Sequence, residues 1–416
     1  GYYEEYKSNK NLEDYGLATE KFKTDLVRQK KMENDFYGAI ASLNYHPNSR
    51  LKTVLGGGWN KYVGDHFGKV LWVKKPFDNL PIGHEYYRNR AWKSDFNVYA
   101  KAEWEFLRGL SGFLWAHDDF DFFNPKVGLN YELNRHNRLY ASYAMSHREP
   151  VRNNYQDNYV NHLKAERLQD IEVGYKYSSR RFTAGVNLYY MLYDDQYVLT
   201  GQLNDIGEMI ASNENSGKSY RAGIELEGAW QPVNWFRWDA NLTLSRARNK
   251  DWTITTDDNN VVNLGETHTA FSPDVIFNNI FTFEYRGFQA NIQSRFVGEQ
   301  YMTNTDHKYY TNYNADGTVQ SRVGMMLDKF FTTNVNLSYT FEAERFGLKK
   351  LGLKDATLGV TLYNIFNAKY DNNGWAAPGY RMNGGKVEAY CVDDLYEAGF
   401  APSAPFNFLF NLSLGF

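Results

Sequence analysis

Polar and apolar residues alternate singly along most of this chain, and the pattern is cleanest at its end. Over 406–416, Phe406, Phe408, Phe410, Leu412, Leu414 and Phe416 share one parity, while Asn407, Leu409, Asn411, Ser413 and Gly415 take the other. A period of two puts successive side chains on opposite faces of a strand. The same alternation returns over 96–106, 182–192, 222–230, 238–244, 335–341 and 358–366. These runs predict about fifteen or sixteen strands, with a fragment near Tyr2 to Tyr6 and ends placed to within about two to four residues. One apolar and one polar face per strand describes a wall with lipid on one side and water on the other. The predicted fold is an all-β, antiparallel transmembrane β-barrel.

The connections alternate in length. Short ones fall at His46-Pro47-Asn48-Ser49, Arg135-His136-Asn137, Ser178-Ser179-Arg180, Gln231-Pro232-Val233-Asn234 and Arg286-Gly287. Long polar ones are expected near 64–90, 148–165, 200–218, 250–270, 304–328 and 369–405. Outer-membrane barrels put short turns in the periplasm and long loops outside. With the C-terminus periplasmic, each segment takes its side by length; the turn 342–352 is the longest of the short set. Aromatic residues gather at strand ends, as with Trp230, Trp235, Trp238 and Tyr285, where amphipathic rings suit a headgroup interface.

Composition agrees. The 416 residues carry a formal charge of −3 and one cysteine, Cys391, and the mean hydropathy is −0.62. No stretch approaches the roughly 18–20 apolar residues of a membrane helix. Near-neutral charge offers nothing for nucleic acid, and one cysteine forms no intrachain disulfide. The chain starts Gly-Tyr-Tyr without Met, so a processed or truncated product is expected.

Several motifs, in this order, resemble the barrel of TonB-dependent outer-membrane receptors. They are Asn124-Pro125-Lys126-Val127-Gly128-Leu129, Leu139-Tyr140-Ala141-Ser142-Tyr143, Arg148-Glu149-Pro150, Leu163-Lys164-Ala165-Glu166, Asn187-Leu188-Tyr189-Tyr190, Gly223-Ile224-Glu225-Leu226-Glu227, Val297-Gly298-Glu299-Gln300-Tyr301 and Tyr363-Asn364-Ile365-Phe366-Asn367. The style, including Met302-Thr303-Asn304, is closest to receptors of Bacteroidetes-type bacteria. The resemblance implies a barrel of about 22 strands around an N-terminal plug that meets TonB. Residues 1–416 are then the C-terminal part of that barrel, with the plug absent and 406–416 left as an edge. Phe416 becomes the signal read by the barrel-assembly machinery. The implied function is TonB-coupled uptake of a scarce nutrient across the bacterial outer membrane, preferably a metal chelate (ferric siderophore, haem or cobalamin). A passive sixteen-stranded porin and a TonB-dependent glycan importer are the alternatives.

No enzyme motif is present: neither Gly-x-Ser-x-Gly, His-Glu-x-x-His nor a Gly-rich phosphate loop. No cofactor and no nucleic-acid partner are expected; the partners are membrane lipid and a small nutrient. Asp257-Asp258-Asn259-Asn260 lacks calcium-loop spacing and reads as a solvated turn. His66, His84, His117, His147, His162, His268 and His307 lie in or near predicted loops. Of these, His66 and His84 are the weak metal candidates, set against scattered solvated imidazoles. The ligand candidates are Arg148 and Arg295 with the inward parity of their strands, Tyr301 on the same parity as Arg295, and Trp375, Tyr380 and Arg381 in the longest loop. Arginine and aromatic rings suit an anionic, ring-bearing ligand; the competing role for each is to hydrate the wall.

Overall fold

The computed structural model describes residues 2–18, 22–75, 83–119, 122–151, 154, 163–204, 208–213, 216–342, 352–392 and 397–416. Nearly all of these lie in antiparallel strands and their turns, with one 3-10 turn at Leu12–Tyr15. No described helix is long and apolar enough to cross a membrane. The all-β expectation holds. The chain forms two compact units, 1–103 with 115–123, and 104–114 with 124–416.

In the smaller unit, β1 (Tyr2–Asn11) pairs with β2 (Lys23–Asn48), and β2 with β3 (Leu51–Val73). Next come β4 (His84–Leu107) and β5 (Leu110–Asp119), whose 104–114 portion belongs to the larger unit. These strands outrun the sequence reading. β3 continues to Val73 and β4 starts at His84, so much of the expected loop 64–90 is strand. Its charged residues lack an apolar face, yet the β2–β3 ladder still pairs its backbone from Leu26↔Val73 down to Asn48↔Leu51. Leu12, Tyr15, Leu26 and Val70 make a small core where the 3-10 turn meets these strands.

The larger unit holds β6 (Phe122–Asn134) from Asn124 onward, β7 (Asn137–Arg148), β8 (Glu166–Ser178), β9 (Phe182–Asp194), the hairpin β10 (Val198–Leu203) and β11 (Met209–Ser212), then β12 (Lys218–Val233) and β13 (Phe236–Thr255). It continues through β14 (Val261–His268), β15 (Val275–Tyr285), β16 (Phe288–Val297), β17 (Gln300–Tyr301), β18 (Tyr309–Tyr313), β19 (Val319–Gly324), β20 (Met326–Leu327), β21 (Phe330–Glu342) and β22 (Asp355–Tyr363). Last are β23 (Asp371–Ala376), β24 (Gly379–Asn383), β25 (Lys386–Val392), β26 (Ala398–Pro402) and β27 (Asn407–Gly415).

The wall is the antiparallel succession β6-β7-β8-β9-β12-β13-β15-β16-β21-β22-β27. Its register lines up like with like. Leu129, Ala141, Val173, Leu188, Ile224, Leu244 and Val275 are successive partners in one row. Phe236, Phe283, Ala290, Leu337, Val360 and Phe410 make another. The opposite face carries Asn130, Tyr140, Gly174, Asn187, Glu225 and Thr243 in register. There Tyr140 donates to Asn187 Oδ1 at 3.0 Å, and Asn187 Nδ2 donates to Glu172 and Glu225 at 3.3 Å each. A slip of one residue would turn every strand's apolar set onto the polar face, so the register is strongly fixed.

Between β15 and β16, Arg286 and Gly287 take φ of 48° and 85°. Two successive positive φ values make the tight hairpin turn matched to strand twist. Among the described residues of this unit, β27 pairs with one strand, β22. Residues 343–351 of the turn expected at 342–352 lie outside the described residues, as do 152–153 and 155–162 of the expected loop 148–165.

Candidate functional site

The long connections of the larger unit are not separate loops. They carry β10–β11, β17–β20, β23–β26 and a four-stranded sheet β19-β18-β25-β24 in which β18 runs parallel to β25. Met302, Tyr310, Met325, Leu327, Ala376, Ala389 and Cys391 are buried together. Val198, Trp252 and Ile254 form a second cluster, and Tyr380 packs against both. The segments therefore share one packed layer.

Side-chain amides hold its irregular backbone. Buried Asn304 accepts from the Ala270 amide at 2.9 Å through Oδ1 and donates to the Leu199 carbonyl at 2.8 Å through Nδ2. Fully buried Asn249 donates to Asn304 Oδ1 at 3.3 Å. Gly201 sits at the same junction with φ 88°, and a Cβ there would lie 2.6 Å from the Ala376 carbonyl oxygen and 2.8 Å from that of Met302. Only glycine suits both the dihedral and the approach.

Arg381 and Tyr380 lie in β24. Arg381 Nε donates to Glu388 Oε2 at 3.1 Å, and its guanidinium lies 4.5 Å from the Tyr313 ring centre and 4.4 Å from that of Tyr390. Glu388 also accepts from Tyr313 at 2.6 Å and Asn383 at 2.9 Å. Burial pushes the Glu388 carboxyl up, but these hydrogen bonds outweigh it and hold it below the ordinary carboxylate value. Tyr390 donates its hydroxyl to Asp257 in a short bond. One stacked, compensated cation thus joins the segments expected as loops at 250–270, 304–328 and 369–405. The Tyr380 hydroxyl meets Thr305 Oγ1 at 3.4 Å, its ring lies 5.7 Å from that of His307, and burial raises its pKa above the usual phenol value. Trp375 lies in β23 opposite Gly399, where any Cβ would collide with its indole.

The wall candidates lie apart from that clamp. Exposed Arg148, at the end of β7, faces Glu166 across the register and lies 5.2 Å from the Tyr197 ring. Tyr197 is held in turn by its amide on Glu166 at 2.7 Å and its hydroxyl on the Lys164 carbonyl at 3.0 Å. Exposed Arg295 stands between Asn278 and Thr332 on the polar face, with no ion pair among the described residues. Tyr301 does not share its setting: β16 ends at Val297 and strand parity stops there. The Tyr301 ring instead lies 4.5 Å from His268, whose Nδ1 is 3.0 Å from Asp306. That His268–Asp306–Tyr301 group, and buried Arg248 at 3.3 Å from Asp274, have no spacing signal in the sequence.

In the smaller unit, buried His66 lies 3.5 Å from the Tyr62 hydroxyl, and His84 Nε2 3.0 Å from the Tyr15 carbonyl. No group of three metal-binding side chains occurs among the described residues. His162 and the side chain of His117 lie outside them. Asp257, in the acidic turn, is taken by Tyr390. Phe416 is 70% exposed at the end of β27.

No curated protein sequence matches the chain. Among solved structures it is similar to the copper transporter OprC, with TM-score 0.63, 14% identity, and coverage of 93% of this chain and 59% of that one. The unliganded ferric citrate transporter FecA gives TM-score 0.59 and 14% identity, covering 94% and 55%. The ferric-catecholate import receptor Fiu of E. coli K12 gives 0.56 and 13%, covering 94% and 56%. The chain thus spans less than two thirds of the length of each. The model of the family described as TonB dependent receptor-like, beta-barrel matches residues 1–365, and the chain belongs to that family.

Proposed function

We propose that this chain is a large part of the barrel of an outer-membrane receptor that imports a scarce nutrient, a metal chelate, with energy relayed by TonB. The observation that carries the reading is the two-faced register of the wall, with apolar rows such as Leu188–Ile224–Leu244 backed by polar rows such as Asn187–Glu225–Thr243. A continuous apolar face suits lipid, and a continuous polar face suits a hydrated interior. The packed layer formed by the long segments supports binding followed by gating, since an open diffusion pore has no use for it. Arg295, exposed and uncompensated on the polar face, favours an anionic cargo. The relatives' names, a copper transporter and two iron-chelate receptors, point the same way. No bond chemistry is involved: the work is recognition and conformational change.

The test is growth of a strain lacking the gene on defined ferric chelate, haem, cobalamin or glycan, with and without TonB. Loss of growth on one chelate, dependent on TonB, is expected. Growth loss on a glycan alone replaces the cargo, and steady conductance in a planar bilayer without an energised partner replaces the mechanism with a porin's.

A further inference from the structure

The sheet β19-β18-β25-β24 has one covered edge and one open edge. At β24 the Asp257 amide donates to the Tyr380 carbonyl at 2.9 Å, so a neighbouring segment caps the strand. At the other end, β19 pairs with β18 alone among the described residues. The Met325 amide donates to the Lys308 carbonyl at 2.8 Å, and the same register sets Val323 against Tyr310 and Ser321 against Asn312. Antiparallel partners alternate between hydrogen-bonded and non-hydrogen-bonded pairs. Ser321, Val323 and Met325 therefore turn their backbone groups to β18, while Arg322 and Gly324 turn theirs outward. Both are exposed, and β19 holds neither of the usual guards of a free edge, lysine or proline.

Nothing within the chain requires the glycine at 324. Its φ is not positive, and a Cβ there would meet nothing within 4 Å. Among the described glycines without a positive φ it stands alone in this. The others are crowded, as at Gly223, where a Cβ would lie 2.5 Å from the Tyr189 hydroxyl. A strand glycine that neither dihedral nor packing demands marks a place where another backbone or a ligand comes close. Gly324 faces Tyr309 across the register, and the Tyr309 ring is exposed. The Arg322 guanidinium lies 4.8 Å from that ring centre and makes no ion pair among the described residues. Arg322, Gly324 and Tyr309 share one face of the sheet. A notch, an exposed phenol and an uncompensated cation thus line up along unspent backbone donors and acceptors.

We propose that β19 accepts an extended segment of a partner protein as a further antiparallel strand. In that segment a bulky apolar residue fills the space beside Gly324, and an acidic residue two positions later meets Arg322. Main-chain hydrogen bonds give the affinity and the alternate side chains give the selectivity. The period of two puts both partner side chains on the face that carries Tyr309. A second copy of this chain fits poorly. The antiparallel register that engages both outward residues of two copies pairs Arg322 with Gly324 and sets the two arginines diagonally on one face. Like charges within that reach oppose pairing.

The test takes the intact protein carrying this chain in detergent micelles and a fluorescent peptide, Thr-Val-Phe-Thr-Glu-Val-Thr, with binding read by anisotropy. Saturable binding is expected. N-methylation of the Phe and Glu amides, which face the outward carbonyls, should abolish it, while N-methylation of the Thr between them should not. Arg322→Glu should weaken binding about tenfold, because like charges then meet, and a peptide with Lys in place of Glu should restore it. Gly324→Val should weaken the Phe peptide about fivefold and leave its Ala counterpart unchanged. An unshifted thermal transition reports that each variant is folded. No saturable binding by the wild type, equal binding of the two methylated peptides, or equal binding by wild type and Arg322→Glu overturns the site. Self-association that the peptide displaces assigns the edge to a second copy, and import of the peptide by cells assigns it to cargo; either overturns the partner.

Discussion

Arg381 and Glu388 are direct cross-strand partners on β24 and β25, with Nε 3.1 Å from Oε2. Both tyrosines flanking the guanidinium come from other strands: Tyr313 lies on β18 and Tyr390 on β25. Because Tyr390 also reaches Asp257, 133 residues away, this ion pair ties together distant segments. An isolated exposed pair contributes little, whereas a stacked and multiply bonded one adds cation–π and charge-assisted terms.

Replacing Arg381 by Ala should therefore loosen the layer locally, by about 1–3 kcal/mol. Hydrogen exchange is the measurement: faster exchange is expected at 309–313 and 386–392, with the wall strands unchanged. Arg381→Lys should recover only part of the protection, since an ammonium keeps the charge but not the planar stack. Unchanged exchange in Arg381→Ala would show that the clamp holds nothing.

The same contact predicts an acid response. Glu388 has a carboxyl pKa below its ordinary value, so the folded layer binds this proton less readily than the unfolded segment does. Its contribution is complete above the ordinary carboxylate pKa and is lost as pH falls through the depressed one. Protection of the amides at 386–392, taken relative to their intrinsic exchange rate at each pH, should fall under acid conditions in the wild type, and Glu388→Gln should flatten that dependence.

At the three-segment junction, Gly201→Ala meets both a φ of 88° and two carbonyl oxygens under 3 Å from the new Cβ. Strain and collision together should cost about 2–4 kcal/mol. Asn304→Ala leaves the buried Ala270 amide and Leu199 carbonyl without their partner and should cost about 2–3 kcal/mol. Limited proteolysis should cut the layer in both variants while the wall stays intact; a resistant Gly201→Ala protein would mean that the junction yields.

The wall was legible because its signal is local. Ile224, Leu226 and Trp230 announce a face without knowledge of their partners, and pairing with Leu188 and Leu244 follows from turn lengths. The layer was not legible, because its contacts join residues with no shared period: Asn304 finds Leu199 across 105 positions, and Tyr390 finds Asp257 across 133. Polar composition read as solvated loop, yet the same Asn and Thr side chains serve as buried backbone caps. Arg381 stands out in the sequence only by residue type, as a ligand candidate, and nothing there announces the carboxylate and two rings that hold it. Tyr301 shows where parity fails, since the strand break at 298–299 ends the count.

Arg295 offers the sharpest test of cargo charge. It is exposed, opposite Asn278 and Thr332, and bonded to neither side chain among the described residues, so Arg295→Ala should leave thermal unfolding within about 0.5 kcal/mol of wild type. Uptake of an anionic chelate should fall several-fold and Arg295→Glu should abolish it, as expected for a lost or reversed charge contact. Equal uptake by all three proteins removes this residue from the site.

Phe416 separates assembly from stability. The backbone pairing of β27 with β22 closes at Asp355↔Gly415, and the Lys354 amide donates to the Gly415 carbonyl at 2.7 Å. Phe416 lies one residue beyond, 70% exposed, so its ring adds little packing within this chain. Deleting it should leave the thermal transition of refolded protein nearly unchanged. On the proposal that Phe416 is an assembly signal, the same deletion should reduce the folded, detergent-resistant form in the outer-membrane fraction of cells several-fold. Phe416→Tyr, which keeps an aromatic ring, should recover most of it. Equal membrane yields from wild type and deletion would assign the terminal ring no part in assembly.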